Sequence, residues 1–235
     1  MLELRGVAYR YPGSARPAIG PIDLVLADGE AVGIVGANDS GKSTLCLVAS
    51  GLAPPSVGGQ LTGEVVLDGV ATRGLKPDEL AGRLGIVFQD PSTQRSGITG
   101  TVFEEVALGP VNLGWARADS VAATRSALHA LGIEHLALRD PARLSGGQSQ
   151  LVAIASIVAM RPRLLILDEP VAQLDPEATA AVVEALRAVA RAGTSLLIDS
   201  TFRASSSASS SDRAPPACQA LFHSAGLTCA CAHGR

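Results

Sequence analysis

The stretch Gly36-Ala37-Asn38-Asp39-Ser40-Gly41-Lys42-Ser43-Thr44 limits what this chain can fold into more than any other part of it. It fits G-x-x-x-x-G-K-[ST], a loop whose backbone N–H groups surround phosphate while a lysine closes on it. Such a loop needs a buried strand to deliver it and a helix to follow, because the helix N-terminus adds further N–H groups and its dipole. Residues 31–35, an apolar run, meet the first requirement. The loop therefore asks for an α/β fold with its site at a strand's carboxyl end.

Further apolar runs at 84–88, 164–167 and 195–198 read as buried strands. A helix lies between the last two. Asp175 can cap it, Pro176 suits its first turn and Gly193 can end it. Val182, Val183, Leu186 and Val189 give it one apolar face. Strand, helix, strand implies parallel pairing with right-handed crossovers. The first thirty residues and 61–67 read as a small antiparallel sheet, and about 90–150 as an inserted, mostly helical subdomain. The expected fold is an α/β P-loop NTPase. It has a RecA-like parallel core, a small antiparallel β subdomain and an inserted α-helical subdomain, within residues 1–198.

A chain of 235 residues, 47% hydrophobic, suffices for one domain with a full core. The formal charge of −3 gives no basic surface for nucleic acid. Charges occupy the start where a signal peptide would be apolar. The longest apolar stretch, 151–160, is about half of the roughly 18 residues of a membrane helix and reads as a buried helix. The expectation is a soluble chain that reaches a membrane only through a partner. Of four cysteines, Cys46 reads as a small core residue, and Cys218, Cys229 and Cys231 lack the spacing of a zinc site.

A second motif, Leu164-Leu165-Ile166-Leu167-Asp168-Glu169-Pro170, sets two acids at the carboxyl end of a buried strand. Beside a phosphate loop, Asp168 is placed to hold Mg²⁺ through its water shell, and Glu169 to accept a proton from attacking water. Lys42 is expected at the β- and γ-phosphates and Ser43 on Mg²⁺.

A third motif, Leu144-Ser145-Gly146-Gly147-Gln148, combines a helix cap with glycines that let backbone N–H groups approach a phosphate. It is the ABC signature sequence, and residues 1 to about 198 resemble the ABC ATPase family. The resemblance implies ATP and Mg²⁺ as ligands. Gly36, Asn38, Ser40, Gly41, Lys42, Ser43 and Thr44 would cradle the phosphates. Ser145, Gly146, Gly147 and Gln148 would meet ATP held by a second ABC ATPase subunit, in a head-to-tail homo- or heterodimer. Gln89 matches the Q-loop glutamine, touching Mg²⁺ or the attacking water. Tyr11 matches the aromatic that stacks on adenine, and Asp175 the D-loop acid, which can also cap its helix. An integral membrane transporter subunit and a peripheral position on the cytoplasmic face of the cell membrane follow from the same resemblance, with no nucleic-acid partner.

One stretch narrows it. Phe88-Gln89-Asp90-Pro91-Ser92-Thr93-Gln94, then Thr101-Val102-Phe103-Glu104-Glu105-Val106-Ala107-Leu108-Gly109 and Asn112-Leu113-Gly114, resembles the ATPases of energy-coupling-factor transporters, importers of vitamins and of metal ions such as cobalt and nickel.

The chain also departs from the family. Asp39 stands where Gly is usual, and its side chain is expected to point outward. Leu151 replaces an Arg, so a surface ion pair is expected to be missing. No histidine follows Ile198 until His223, although the family places its switch histidine there. Residues 199–235 contain two Leu, no Ile and no Val, and a Ser/Ala run at 204–211. They read as an unordered tail and look like an out-of-frame or truncated end. That would make a chain that binds ATP but hydrolyses it poorly. A soluble ABC ATPase outside transport is a further alternative, against which stands the lack of coiled-coil insertions or tandem domains.

Overall fold

A computed structural model describes residues 1–201 and 228–231. The chain opens with β1 (Leu2–Arg10) and β2 (Ile19–Leu26), antiparallel, with Leu2 opposite Leu26. β3 (Ala31–Gly36) leads into α1 (Lys42–Ala49). β4 (Gln60–Leu67) pairs with the other side of β1, and β5 (Val70–Ala71) follows it. These give an antiparallel sheet of order β2-β1-β4-β5.

After the short α2 (Pro77–Leu80) come β6 (Leu84–Val87) and three helices, α3 (Val102–Asn112), α4 (Arg117–Ala130) and α5 (Gly146–Val158). Then follow β7 (Leu164–Leu167), α6 (Pro176–Arg191), β8 (Ser195–Thr201) and β9 (Thr228–Cys231). The second sheet has order β6-β7-β8-β3-β9 and every pairing in it is parallel.

Successive strand residues face opposite ways, and both faces of the parallel sheet are covered. Leu164, Ile166 and Leu197 join a core with α1 and the antiparallel sheet. Leu165, Leu167, Leu196 and Ile198 join one with α3 to α6. The parallel sheet is thus a middle layer, which is why its strands read as unbroken apolar runs.

α6 forms as its residues dictate. Asp175 Oδ1 accepts from Ala178 N at 2.8 Å, Pro176 follows, and Val182, Val183, Leu186 and Val189 are buried. The 151–160 helix begins earlier, at Gly146, because Ser145 supplies its cap. Leu151 is buried in the helical core, not at the surface where an ion pair was expected to be missing. No described helix is long and apolar enough to cross a membrane.

Of the segment after Ile198, two short pieces are described. The 195–198 strand runs on to Thr201, and Thr228–Cys231 pairs with β3, from Val32↔Thr228 to Val35↔Cys231. The expectations for Phe202, Arg203, the 204–211 run and His223 lie outside the described residues.

Candidate functional site

The loop between β3 and α1 is held by backbone conformation. Gly41 has φ 92°, and a Cβ there would lie 2.5 Å from Ala18 O. Asp39 has φ 61°, a left-handed geometry that Asp tolerates, and it is exposed, as expected. Asn38 and Ser40 are also exposed. Gly41 offers no side-chain acceptor, so no cap covers the first turn of α1 and its N–H groups are free to meet an anion.

Lys42 is buried, and its Nζ donates to Ala37 O at 2.9 Å. Ser43 Oγ donates to Asp168 Oδ1 at 2.8 Å. Asp168 is fixed by its own N–H, which donates to Val87 O at 2.9 Å. Glu169 has φ 46°. A non-glycine residue held there costs about 1–3 kcal/mol and marks an over-determined site. That turn swings the Glu169 carboxylate toward Gln89, whose Nε2 donates to Glu169 Oε2 at 3.2 Å. Lys42, Ser43, Gln89, Asp168 and Glu169 thus meet at the carboxyl ends of β3, β6 and β7.

Asp199 joins them from β8, and sequence reasoning missed it. It is buried, 3.9 Å from Lys42 Nζ, with neither carboxylate oxygen reached by a donor among the described residues. Burial, reinforced by the neighbouring Asp168 and opposed by the Lys42 ammonium, pushes its carboxyl up to about 8. The signal was present: Leu196-Leu197-Ile198-Asp199 repeats the apolar-run-then-Asp pattern of 164–168. Ligand atoms of Cys46, Asp168 and Asp199 lie within 4.8 Å of one another, and burial pushes the Cys46 thiol up.

The flank is aromatic. Tyr11 OH is 3.1 Å from Thr44 Oγ1, and its ring stands edge-on to Tyr9 at 5.0 Å. The signature residues lie elsewhere. Ser145 Oγ accepts from Gln148 N at 3.3 Å, and Gln148 Oε1 accepts from Ser145 N at 3.2 Å. A Cβ on Gly147 would come 2.5 Å from Ala178 Cβ, so this glycine also lets α5 approach the start of α6. Among the described residues, no hydrogen bond or ion pair joins 145–148 to 36–44. Asp175 caps α6 between Leu174 and Ala178, the residues that lie against Gly146 and Gly147.

A parallel sheet feeding a phosphate loop into α1, an acid pair ending β7, and a separate antiparallel sheet and helical layer define a P-loop NTPase with the ABC ATPase fold. Residues 19–172 match the family described as ABC transporter, and the chain belongs to that family. It is similar to the energy-coupling factor transporter ATP-binding protein EcfA of Methanothermobacter thermautotrophicus, 37% identical over 202 residues, 85% of this chain and 62% of that protein. It is also similar to EcfA2 of Methanospirillum hungatei, 38% identical over 198 residues, 84% of this chain and 48% of that protein. The structure resembles that of CbiO1 from Clostridium perfringens, part of the ABC transporter complex CbiONQ. The TM-score is 0.75 at 31% identity, covering 86% of this chain and 78% of that one. The chain spans 62% and 48% of the two curated relatives' lengths.

Proposed function

We propose that this chain binds ATP with Mg²⁺ and hydrolyses it to drive a membrane transporter of the energy-coupling-factor type, an importer of a vitamin or a transition-metal ion. One observation carries the reading: Ser43 Oγ and Asp168 Oδ1 meet at 2.8 Å across 125 residues of sequence, joining the phosphate loop to the acid pair.

The residues present suit the ligands. Ser43, Asp168 and Gln89 offer hydroxyl, carboxylate and amide oxygen, the hard donors that Mg²⁺ prefers. When bound there, Mg²⁺ supplies charge neutralisation at the β- and γ-phosphate oxygens. Lys42 exchanges the Ala37 carbonyl for those phosphates, and the N–H groups of Gly36, Asn38, Ser40, Gly41, Ser43 and Thr44 line the loop. Tyr11 packs against adenine. Glu169, held by Gln89, takes the proton of a water that attacks the γ-phosphorus while the bond to the bridging oxygen breaks. Ser145, Gly146, Gly147, Gln148 and Asp175 face the nucleotide of a second subunit in a head-to-tail dimer. The membrane is reached peripherally, on its cytoplasmic face, through an integral membrane subunit. The names of the EcfA relatives and the Phe88–Gly114 resemblance support the subtype.

The test is Glu169→Gln, which keeps size and hydrogen bonding but removes the base. ATP is expected to bind and to trap the dimer, seen as a doubled mass by light scattering. Hydrolysis at the wild-type rate would remove Glu169 from its role.

A further inference from the structure

β6 is an edge strand of the parallel sheet, with β7 on one side only. Ala81 bridges Leu84 at its start, and at its end two outer backbone groups, Ile86 O and the N–H of Phe88 just beyond it, are taken by the side chain of Gln94. Oε1 accepts from Phe88 N at 2.8 Å, and Nε2 donates to Ile86 O at 2.9 Å. These are the two hydrogen bonds that a residue of a neighbouring parallel strand would make to either side of Val87. The Gln94 amide thus extends the sheet by one residue, where Gln89 leaves the strand.

The clamp is itself fixed. Asp90 caps the 3₁₀ turn Pro91–Gln94, its Oδ1 accepting from Ser92 N at 2.8 Å. Arg95 Nη1 donates to Pro141 O at 2.7 Å, at the turn Pro141–Arg143 that leads into Ser145. Glu105 on α3 accepts from Ser96 N and Ser96 Oγ, each at 2.7 Å, and from Thr99 Oγ1. One short segment is therefore tied to β6, to the chain entering the signature and to α3.

We infer that Gln94 is a positioning residue for hydrolysis: by clamping Phe88 and Ile86 it sets where Gln89 meets Glu169, and through Arg95 it carries that geometry toward the signature turn. The inference rests on the ATPase reading above. Among the described residues Gln94 makes no hydrogen bond to the phosphate loop or the acid pair, so its removal is expected to act on turnover rather than on nucleotide affinity.

The experiment compares the full chain with Gln94→Leu and Gln94→Glu in kcat, KM for ATP and thermal midpoint. Leu keeps the bulk and loses both hydrogen bonds, while Glu keeps the acceptor and loses the donor. Expected is kcat in the order wild type, Glu, Leu, with Leu down about tenfold or more, as for other misplaced catalytic groups. KM is expected to change less than about twofold, since the nucleotide contacts are untouched. Hydrogen exchange at the Phe88 amide should speed up in Gln94→Leu. Wild-type kcat in Gln94→Leu, or a loss of kcat matched by a loss of folded protein, overturns the inference while leaving the ATPase reading intact. An inactive wild-type chain overturns both.

Discussion

Lys42 is the residue on which most of the local electrostatics turns. Its ammonium lies 3.9 Å from Asp199, near Asp168, in a region closed to water. With its carboxyl pushed up to about 8, Asp199 holds at neutral pH a proton that it gives up on unfolding, and holding it costs stability. Lys42→Ala removes the proposed charge-assisted phosphate contact, worth about 1.5–3 kcal/mol, so ATP affinity is expected to fall about tenfold or more by titration calorimetry. Unchanged affinity would remove Lys42 from the site. The same substitution leaves Asp199 without its neighbouring cation, so the fold should also weaken. Asp199→Asn offers a neutral isostere beside Asp168. Alone, it is expected to raise the thermal midpoint by about 2–4 °C, the equivalent of about 1 kcal/mol in a chain of this size. A lowered midpoint would show the Asp199 charge to be stabilising. Added to Lys42→Ala, it should restore stability without restoring ATP affinity. The two acids also show what the sequence could and could not reveal. Asp168 was legible because a phosphate-loop protein needs an acid after a buried strand. Asp199 shares the same local pattern but follows a strand whose neighbour across the sheet only the fold supplies.

At the scale of elements, helix ends and strands were readable where one face must be buried. α6 has its cap, its proline and its apolar stripe in sequence order, and the cap at Ser145 forms as the residues require. The Gln94 clamp was not readable, because a side chain standing in for a strand leaves no periodicity. Glu105 belongs to the same hidden class. Burial raises its carboxyl, but hydrogen bonds from Thr99 and Ser96 and the charge of Arg95 outweigh this, and its pKa is lowered below 4.5. A carboxyl depressed on folding adds stability above its unfolded value, and that stability is lost as pH falls through the folded one. Glu105→Gln is therefore expected to cost about 1–2 kcal/mol at neutral pH by urea denaturation, a difference that narrows below about pH 4.5. A gap that stayed constant into acid would mean that the carboxylate charge plays no part in holding 96–99 to α3.

Over the whole molecule, the alternation of apolar runs and helices was enough to place the parallel sheet, and the antiparallel sheet followed from the opening residues. The order of strands was not available from the sequence, since neighbours in the sheet are distant in the chain. β3 lies between β8 and β9, paired from Ala31↔Leu196 to Gly36↔Thr201 on one side and from Val32 to Val35 on the other. That placement has a consequence for the order of assembly. Strands are made from the N-terminus, so β3 and its phosphate loop leave the ribosome long before either partner exists. Closing such long loops is entropically slow, and contacts of this separation form late. During synthesis the antiparallel sheet and the helices can collect first, while the nucleotide cradle waits for residues near 200 to be translated. The chain then acquires its ligand site as one of its last folding events, and ATP present at that moment would act as a late fastener of the fold.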